Sequence, residues 1–275
     1  MDVGQDAAQV VGRRYGEHLT DRDLLALAGG EPDRVAPLRR RPELVLELLD
    51  RPDVADAVLA ARRDDDGRFH HVSPFLVFAA AVHRTSRALV GRLHAPDRTA
   101  PRTRVPIFDG PQLAAFATDP AHRLHLAELL ASYARLTSGV VWRRDERGRH
   151  RQRWDELDLP ALAVLLESVP ADEQPGVWRR IGDGALFLAG VFPEYAERTF
   201  GGTGLVRLTR LGASREGPVT ELLEQLAGRA YARVGDAVPP GVAESPHHAR
   251  RFLALVAERH LFPSSGSGGL LSAGR

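Results

Sequence analysis

The sequence predicts an all-α protein, a bundle-like domain of about ten helices with one β-hairpin inserted near 139–154. Three observations predict it. Prolines stand where helices begin, apolar residues recur at a spacing near 3.6, and one segment alone has strand-like flanks about a short loop.

The elements follow in order. Thr20-Asp21-Arg22-Asp23 has the form of a helix cap before Leu24-Leu25-Ala26-Leu27, with Gly29-Gly30 as the stop. Leu44, Leu46, Leu48 and Leu49 predict a short helix at 42–50, and Val54, Val58 and Leu59 another at 52–62. Ser73-Pro74, Asp119-Pro120 and Ser245-Pro246 each place a capping side chain before a proline at the first helical position. There the missing N–H costs nothing and φ is already set. Leu126, Leu129, Leu130, Tyr133 and Leu136 share one face of a helix at 120–137. Val219, Leu222, Leu223, Leu226 and Ala230 do so at 218–234, and Phe252, Leu255 and Val256 anchor 246–261.

Two segments depart from this pattern. Gly139–Arg144 and Arg149–Trp154 flank Asp145-Glu146-Arg147-Gly148, which predicts a hairpin with a four-residue loop. The Pro/Arg-rich stretch 94–109 is expected to be an exposed connector. Residues 1–14 are expected to be an N-terminal arm or first helix, 15–262 a single helical domain, and 263–275 a flexible tail. The hairpin is a candidate seam between two helical halves.

Composition narrows the chemistry. The chain has 275 residues and a formal net charge of +1. All 37 basic residues are Arg, with no Lys, Asn or Cys, and the one Met is Met1. This is the composition of a GC-rich, bacterial genome. Without Cys there are no disulfides, thiolate metal sites or Cys nucleophiles. Without Lys there is no Schiff base, no pyridoxal attachment and no Walker A lysine. The acidic start Met1-Asp2-Val3-Gly4-Gln5-Asp6 lacks a signal-peptide pattern. The longest apolar run, Phe75–Val82, is far short of a membrane span. A cytoplasmic location without membrane attachment is expected.

Two stretches, Val72-Ser73-Pro74-Phe75-Leu76-Val77-Phe78 and Gly182–Glu194, resemble segments of uncharacterised prokaryotic all-helical proteins. The resemblance implies a widespread soluble helical protein and carries no activity.

The hairpin holds the densest positive charge: Arg143, Arg144, Arg147, Arg149, Arg151 and Arg153 against Asp145 and Glu146. Alternation places Arg149, Arg151 and Arg153 on one face, with Trp142 opposite Arg151. Such a face suits phosphate contact, as in the wing of a winged helix. A solvated hairpin whose Arg stems cover Trp is the plainer alternative. On the helix 120–137, His122, Arg123, Glu128, Ser132 and Arg135 form a modest outward face. His122, His125 and Glu128 also have the spacing H-x2-H-x2-E, which could hold a metal if a second His source, His70-His71 or His247-His248, lies nearby. An exposed helix face is again the plainer alternative.

Gly182, Ala185 and Ala189 make a smooth stripe that allows close helix contact. Asp183 then falls in a largely apolar helix, where it can pair with Arg179 or Arg180 or else line a pocket. Gly201-Gly202-Thr203-Gly204, followed by Arg207 and Arg210, reads as a helix–helix loop more readily than as an anion cradle. No constellation meets the requirements of an active site. The leading expectation is a non-catalytic regulatory or scaffolding protein, without cofactor, acting through a protein partner or self-association. The alternatives are a nucleic-acid-binding protein using the Arg hairpin and a helical metalloenzyme.

Overall fold

A computed structural model of the chain describes residues 3–60, 72–100, 103–134, 138–145, 148–155, 157–201 and 217–262. Among them are fourteen α-helices and two two-stranded ribbons, an all-α fold with β-hairpin insertions. His70, His71, Arg147, Arg207, Arg210, the glycines 202 and 204 and the tail 263–275 lie outside the described residues. The chain divides into two compact units. Unit 1 comprises residues 1–96, 106–134 and 255–275, and unit 2 comprises 97–105 and 135–254.

Unit 1 begins with α1 (Val3–His18) and α2 (Asp21–Leu27). Thr20 caps α2 in a full capping box: its hydroxyl accepts from Asp23 N–H, and the Asp23 carboxylate accepts from Thr20 N–H at 2.8 Å. The other oxygen of Asp23 accepts from Ser73 N–H at 2.6 Å. One carboxylate thus ties the start of α2 to the start of α6 (Pro74–Leu89), which Ser73 caps as its sequence predicts. Gly29 and Gly30 stop α2 at φ of +68° and +83°, where a side chain would be strained. Then follow α3 (Val35–Arg40), α4 (Glu43–Leu49) and α5 (Pro52–Ala60).

On α6, only Pro74, Arg84, Arg87 and Ala88 escape full burial. A helix apolar nearly all round is a core element, and α4, α5, α7 (Gly110–Thr118) and α8 (Pro120–Ser132) lie against it. Each large side chain it buries, such as Leu76 or Leu89, contributes about 1.5–3 kcal/mol. Asp119 caps α8, accepting from the N–H groups of Ala121 and His122. The helix ends at Ser132, earlier than its apolar spacing predicts. The expected outward face of α8 is also a correction. Arg123 is 6% exposed, because α6, α1 and α7 cover this helix on more than one side.

The stretch 94–109 is a second correction. It forms a ribbon of β1 (Ala95–Ala100) and β2 (Thr103–Ile107). In a two-stranded ribbon both strands are edges, and edges tolerate proline, so Pro96 and Pro106 do not prevent pairing. Thr99, Thr103, Val105 and Ile107 supply the strand-favouring residues.

In unit 2, β3 (Ser138–Asp145) pairs antiparallel with β4 (Gly148–Asp155). Trp142 lies opposite Arg151, the register the sequence predicts. Asp145 pairs with Gly148, so the connection is two residues rather than four. After α9 (Leu159–Leu166) comes α10 (Gln174–Val191), buried without a break from Ile181 to Val191. It packs along α12 (Val219–Tyr231), with α11 (Pro193–Phe200) beside both. The close approach needs glycine: a Cβ on Gly182 would lie 2.5 Å from the Tyr231 ring, and one on Gly190 2.8 Å from Leu253 Cβ. The short α13 (Pro240–Glu244) leads into α14 (Pro246–Val256). The chain then changes to a π turn, Ala257–Leu261, which belongs to unit 1.

Candidate functional site

Unit 1 encloses a chain of four polar side chains from four segments. Tyr15 is on the last turn of α1, Asp50 just follows α4, His83 is halfway along α6 and Arg123 is on the first turn of α8. Tyr15 and His83 are 0% exposed. His83 Nδ1 lies 2.7 Å from Asp50 Oδ1, and its Nε2 lies 3.0 Å from Tyr15 Oη. An ionised carboxylate only accepts, so Nδ1 carries the proton and Nε2 accepts from the Tyr15 hydroxyl. Arg123 Nη1 donates to the same Asp50 oxygen and also stands 3.1 Å from His83 Nδ1.

Local sequence explains these placements. Asp50 ends α4, where its own N–H reaches Leu46 O, and Pro52 starts a new helix two residues later. The turn leaves the Asp50 side chain partly in solvent, one third exposed. Tyr15 is held edge-on against Phe75, at 5.6 Å between ring centres. His18, one turn on, stacks on the same Phe75 and bonds Glu128 at 3.0 Å.

The electrostatics follow from burial. Desolvation pushes the His83 imidazole down to about 4, against the hydrogen bond that His83 donates to Asp50 and with the help of the Arg123 charge. Desolvation also pushes the Tyr15 phenol well above its ordinary value. Burial alone would raise Asp50, yet the hydrogen bonds from His83 and Arg123 and the Arg123 charge outweigh it and hold its carboxyl below the usual range. The arrangement is therefore a neutral imidazole between a phenol and a carboxylate neutralised by Arg123. A hydroxyl–imidazole–carboxylate chain resembles a nucleophile relay in outline. Here the two shifts oppose proton transfer from phenol to imidazole, and the phenol oxygen is sealed from solvent. The chain of bonds clamps four helical segments together.

The predicted site residues fall elsewhere. Asp183 is 3% exposed and accepts from the Tyr231 hydroxyl at 2.8 Å, with Arg179 Nε 3.7 Å away. Arg179 is one of the two pairings the sequence offers; Tyr231, 48 residues on, is the partner it hides. His122 bonds Phe116 O through Nδ1, and its ring stacks on the Phe116 side chain. His125 is buried, and Glu128 turns to Arg14 and His18. The three thus serve different neighbours, and among the described residues no group of three or more His, Asp or Glu is placed to hold a metal. For Arg143, Arg144, Arg149, Arg151 and Arg153 the strand register is defined, while Arg147 lies outside the described residues.

A polar anchor in unit 2 also escaped the sequence reading. Arg250 grips Asp97 with both Nη atoms and Glu224 with Nε, and Arg251 reaches the same Asp97 at 3.4 Å. These charges lie 153 and 26 residues from Arg250, beyond any local spacing rule. Among the described residues, no helix is long and apolar enough to cross a membrane. Comparison with family models, with curated proteins and with solved structures found no match to this chain.

Proposed function

We propose that the protein is a non-catalytic regulatory or scaffolding protein that works through protein contacts, in the cytoplasm. One observation carries this reading. Leu93 is 73% exposed and Phe108 78% exposed, and the two flank the β1–β2 ribbon at its root. They are close in space: Gly110 N–H bonds Leu93 O at 3.1 Å, and the His94 and Phe108 rings are 5.6 Å apart. Val90, 60% exposed, stands just before them. Large apolar side chains gathered at one place on a surface mark interaction sites. The side chains of Tyr15, Asp50, His83 and Arg123, by contrast, are bonded to one another inside unit 1.

The test compares the native chain with the double variant Leu93→Glu and Phe108→Glu. Both side chains are exposed, so the variant keeps its fold within about 0.5 kcal/mol. Sedimentation velocity over a wide concentration range reads self-association, and co-purification from the native cells reads other partners. Loss of an association on substitution supports the reading. Identical behaviour of the two proteins in both experiments sinks it.

A second reading, nucleic-acid binding by Arg143, Arg144, Arg147, Arg149, Arg151 and Arg153, draws support from the β3–β4 register. That register puts positions 149, 151 and 153 on one side of the ribbon, with Trp142 across from Arg151. A salt titration with DNA and RNA decides it. Phosphate-driven affinity is greatest at low salt, so the absence of binding there rejects it.

A further inference from the structure

The exposed apolar side chains at the root of the first ribbon stand on a fixed backbone. At the end of α6 the Val90 N–H donates to Arg87 O, the chain turns at Gly91, and the Arg92 N–H donates to Leu89 O at 3.0 Å. The next residues lie directly on the start of α7. Gly110 N–H donates to Leu93 O, and a Cβ on Gly110 would stand 2.7 Å from Leu93 C. Val90, Leu93 and Phe108 are thus held out to solvent from a hydrogen-bonded framework, with the His94 ring against Phe108.

The charges around them have one sign. Arg87 and Arg92 are both exposed, and among the described residues neither has a carboxylate within ion-pair distance. Between Val90 and Gln112 the only acids of the chain are Asp97 and Asp109. Asp97 accepts from both Nη groups of Arg250, and Asp109 is half-buried with its Oδ1 closed to solvent. The exposed side chains of 87–94 and of Phe108 are therefore apolar or basic, with no acid among them.

We infer that this surface takes an acidic segment of a partner protein. Aromatic or aliphatic side chains of the segment seat on Leu93 and Phe108, and its Asp or Glu carboxylates accept from Arg87 and Arg92. The inference rests on the reading of this surface as a protein contact and adds the chemistry of the partner. A guanidinium offers a carboxylate two parallel N–H donors, and opposite charge across an interface speeds encounter and fixes register. A second copy docking through the same patch would set one positive surface against another, and like charges brought together are costly. Apolar side chains fixed in advance lose little freedom on binding, which suits a shaped partner better than a fluid bilayer.

Selection of a displayed random-peptide library on the immobilised full chain tests this, with the neutral double variant Leu93→Ala and Phe108→Ala as the parallel target. Peptides enriched on the native chain and not on the variant should carry Asp or Glu beside Phe, Trp, Tyr or Leu. One such peptide, synthesised and titrated by fluorescence anisotropy, should bind saturably and lose affinity as salt rises. Arg87→Gln and Arg92→Gln should each weaken it about two- to fivefold. Arg22→Gln, an exposed change on α2, should leave it unaltered. Enrichment that is the same on the double variant removes the protein-contact reading and the inference with it. Enrichment that needs Leu93 and Phe108 but selects basic or uncharged peptides keeps that reading and overturns the acidic partner. Two further results would also overturn it. Dimerisation in sedimentation velocity that is lost in the double variant assigns the surface to a second copy. Cosedimentation with vesicles of phosphatidylserine and phosphatidylcholine, lost in the same variant, assigns it to a membrane.

Discussion

In unit 1 the Tyr15 hydroxyl donates to His83, which donates to Asp50; in unit 2 the Tyr231 hydroxyl donates to Asp183 directly. Each unit therefore buries a tyrosine whose oxygen ends on an acid, through one imidazole in the first case and none in the second. The neutralising cation differs as well. The Arg123 side chain is 7% exposed and donates to Asp50 closely, whereas the Arg179 side chain is 30% exposed and stands 3.7 Å from Asp183. A cation that remains near solvent gives up little hydration and also contributes little. A cation taken inside forfeits its hydration and must be repaid by its partner. The unit 1 network is thus a committed arrangement in which each member depends on the rest. The unit 2 pair is a single strong hydrogen bond with a loosely attached charge.

The largest test of that contrast removes the inner cation. Arg123→Met keeps the side-chain length and deletes the charge, leaving Asp50 to His83 alone. Breaking a buried pair from one side costs about 3–5 kcal/mol, and the partial exposure of Asp50 points to the lower end. Arg179→Met should cost no more than about 1 kcal/mol, as for an exposed pair. Chemical denaturation of both variants measures the difference. Equal losses would mean that the two cations are equivalent and the contrast false.

Acid should act on unit 1 first. The His83 imidazole is held at about 4 in the folded chain, below the 6.5 of the free group. Above that free value both states are neutral and His83 contributes nothing. As pH falls from about 6.5 towards 4, the unfolded chain binds a proton that the folded chain refuses, so stability drops, by at most about 3 kcal/mol from this group. Asp50, held below the usual carboxylate range, loses its own contribution as pH falls further through its folded value. Replacing His83 by Gln, which can still donate to Asp50 and accept from Tyr15, should flatten the upper part of this acid limb. A stability curve unchanged by His83→Gln between those two pH values would contradict the assignment of a neutral, proton-refusing imidazole.

The two regions were not equally legible in the sequence. Helix starts at Ser73-Pro74 and Asp119-Pro120 could be read because capping and proline placement are local rules. The hairpin register could be read because strand alternation fixes which residues face one another. Asp183 stood out as a charge within Gly182–Glu194, and its small neighbours already implied a closely packed helix. His83 carried a similar signal, a lone imidazole directly after the apolar run Phe75–Val82, yet its meaning depends on Asp50 and Tyr15, 33 and 68 residues away. Arg123 was the least legible: its spacing suits an outward face, and only the helices covering α8 reverse that. Local rules describe one helix face at a time, whereas burial of a polar group is decided by the neighbour that arrives on top of it.

Gly182 offers the smallest and most discriminating change. In an exposed helix Gly→Ala gains up to about 1 kcal/mol from propensity. Here the added methyl would meet Tyr231 Cε1 at 2.5 Å and Cδ1 at 2.7 Å. Overpacking of this kind costs about 1–3 kcal/mol, so Gly182→Ala should be destabilising on balance by about 1–2 kcal/mol. The ring that must move carries the hydroxyl bound to Asp183, so the same methyl strains that hydrogen bond. Tyr231→Phe removes the bond without adding volume. If the bond is already broken in Gly182→Ala, the double variant should lose less than the sum of the two single losses in a denaturation cycle. Strict additivity would show that the Asp183–Tyr231 bond does not depend on how closely α10 and α12 approach, and that the small-residue stripe and the buried acid are separate features of unit 2.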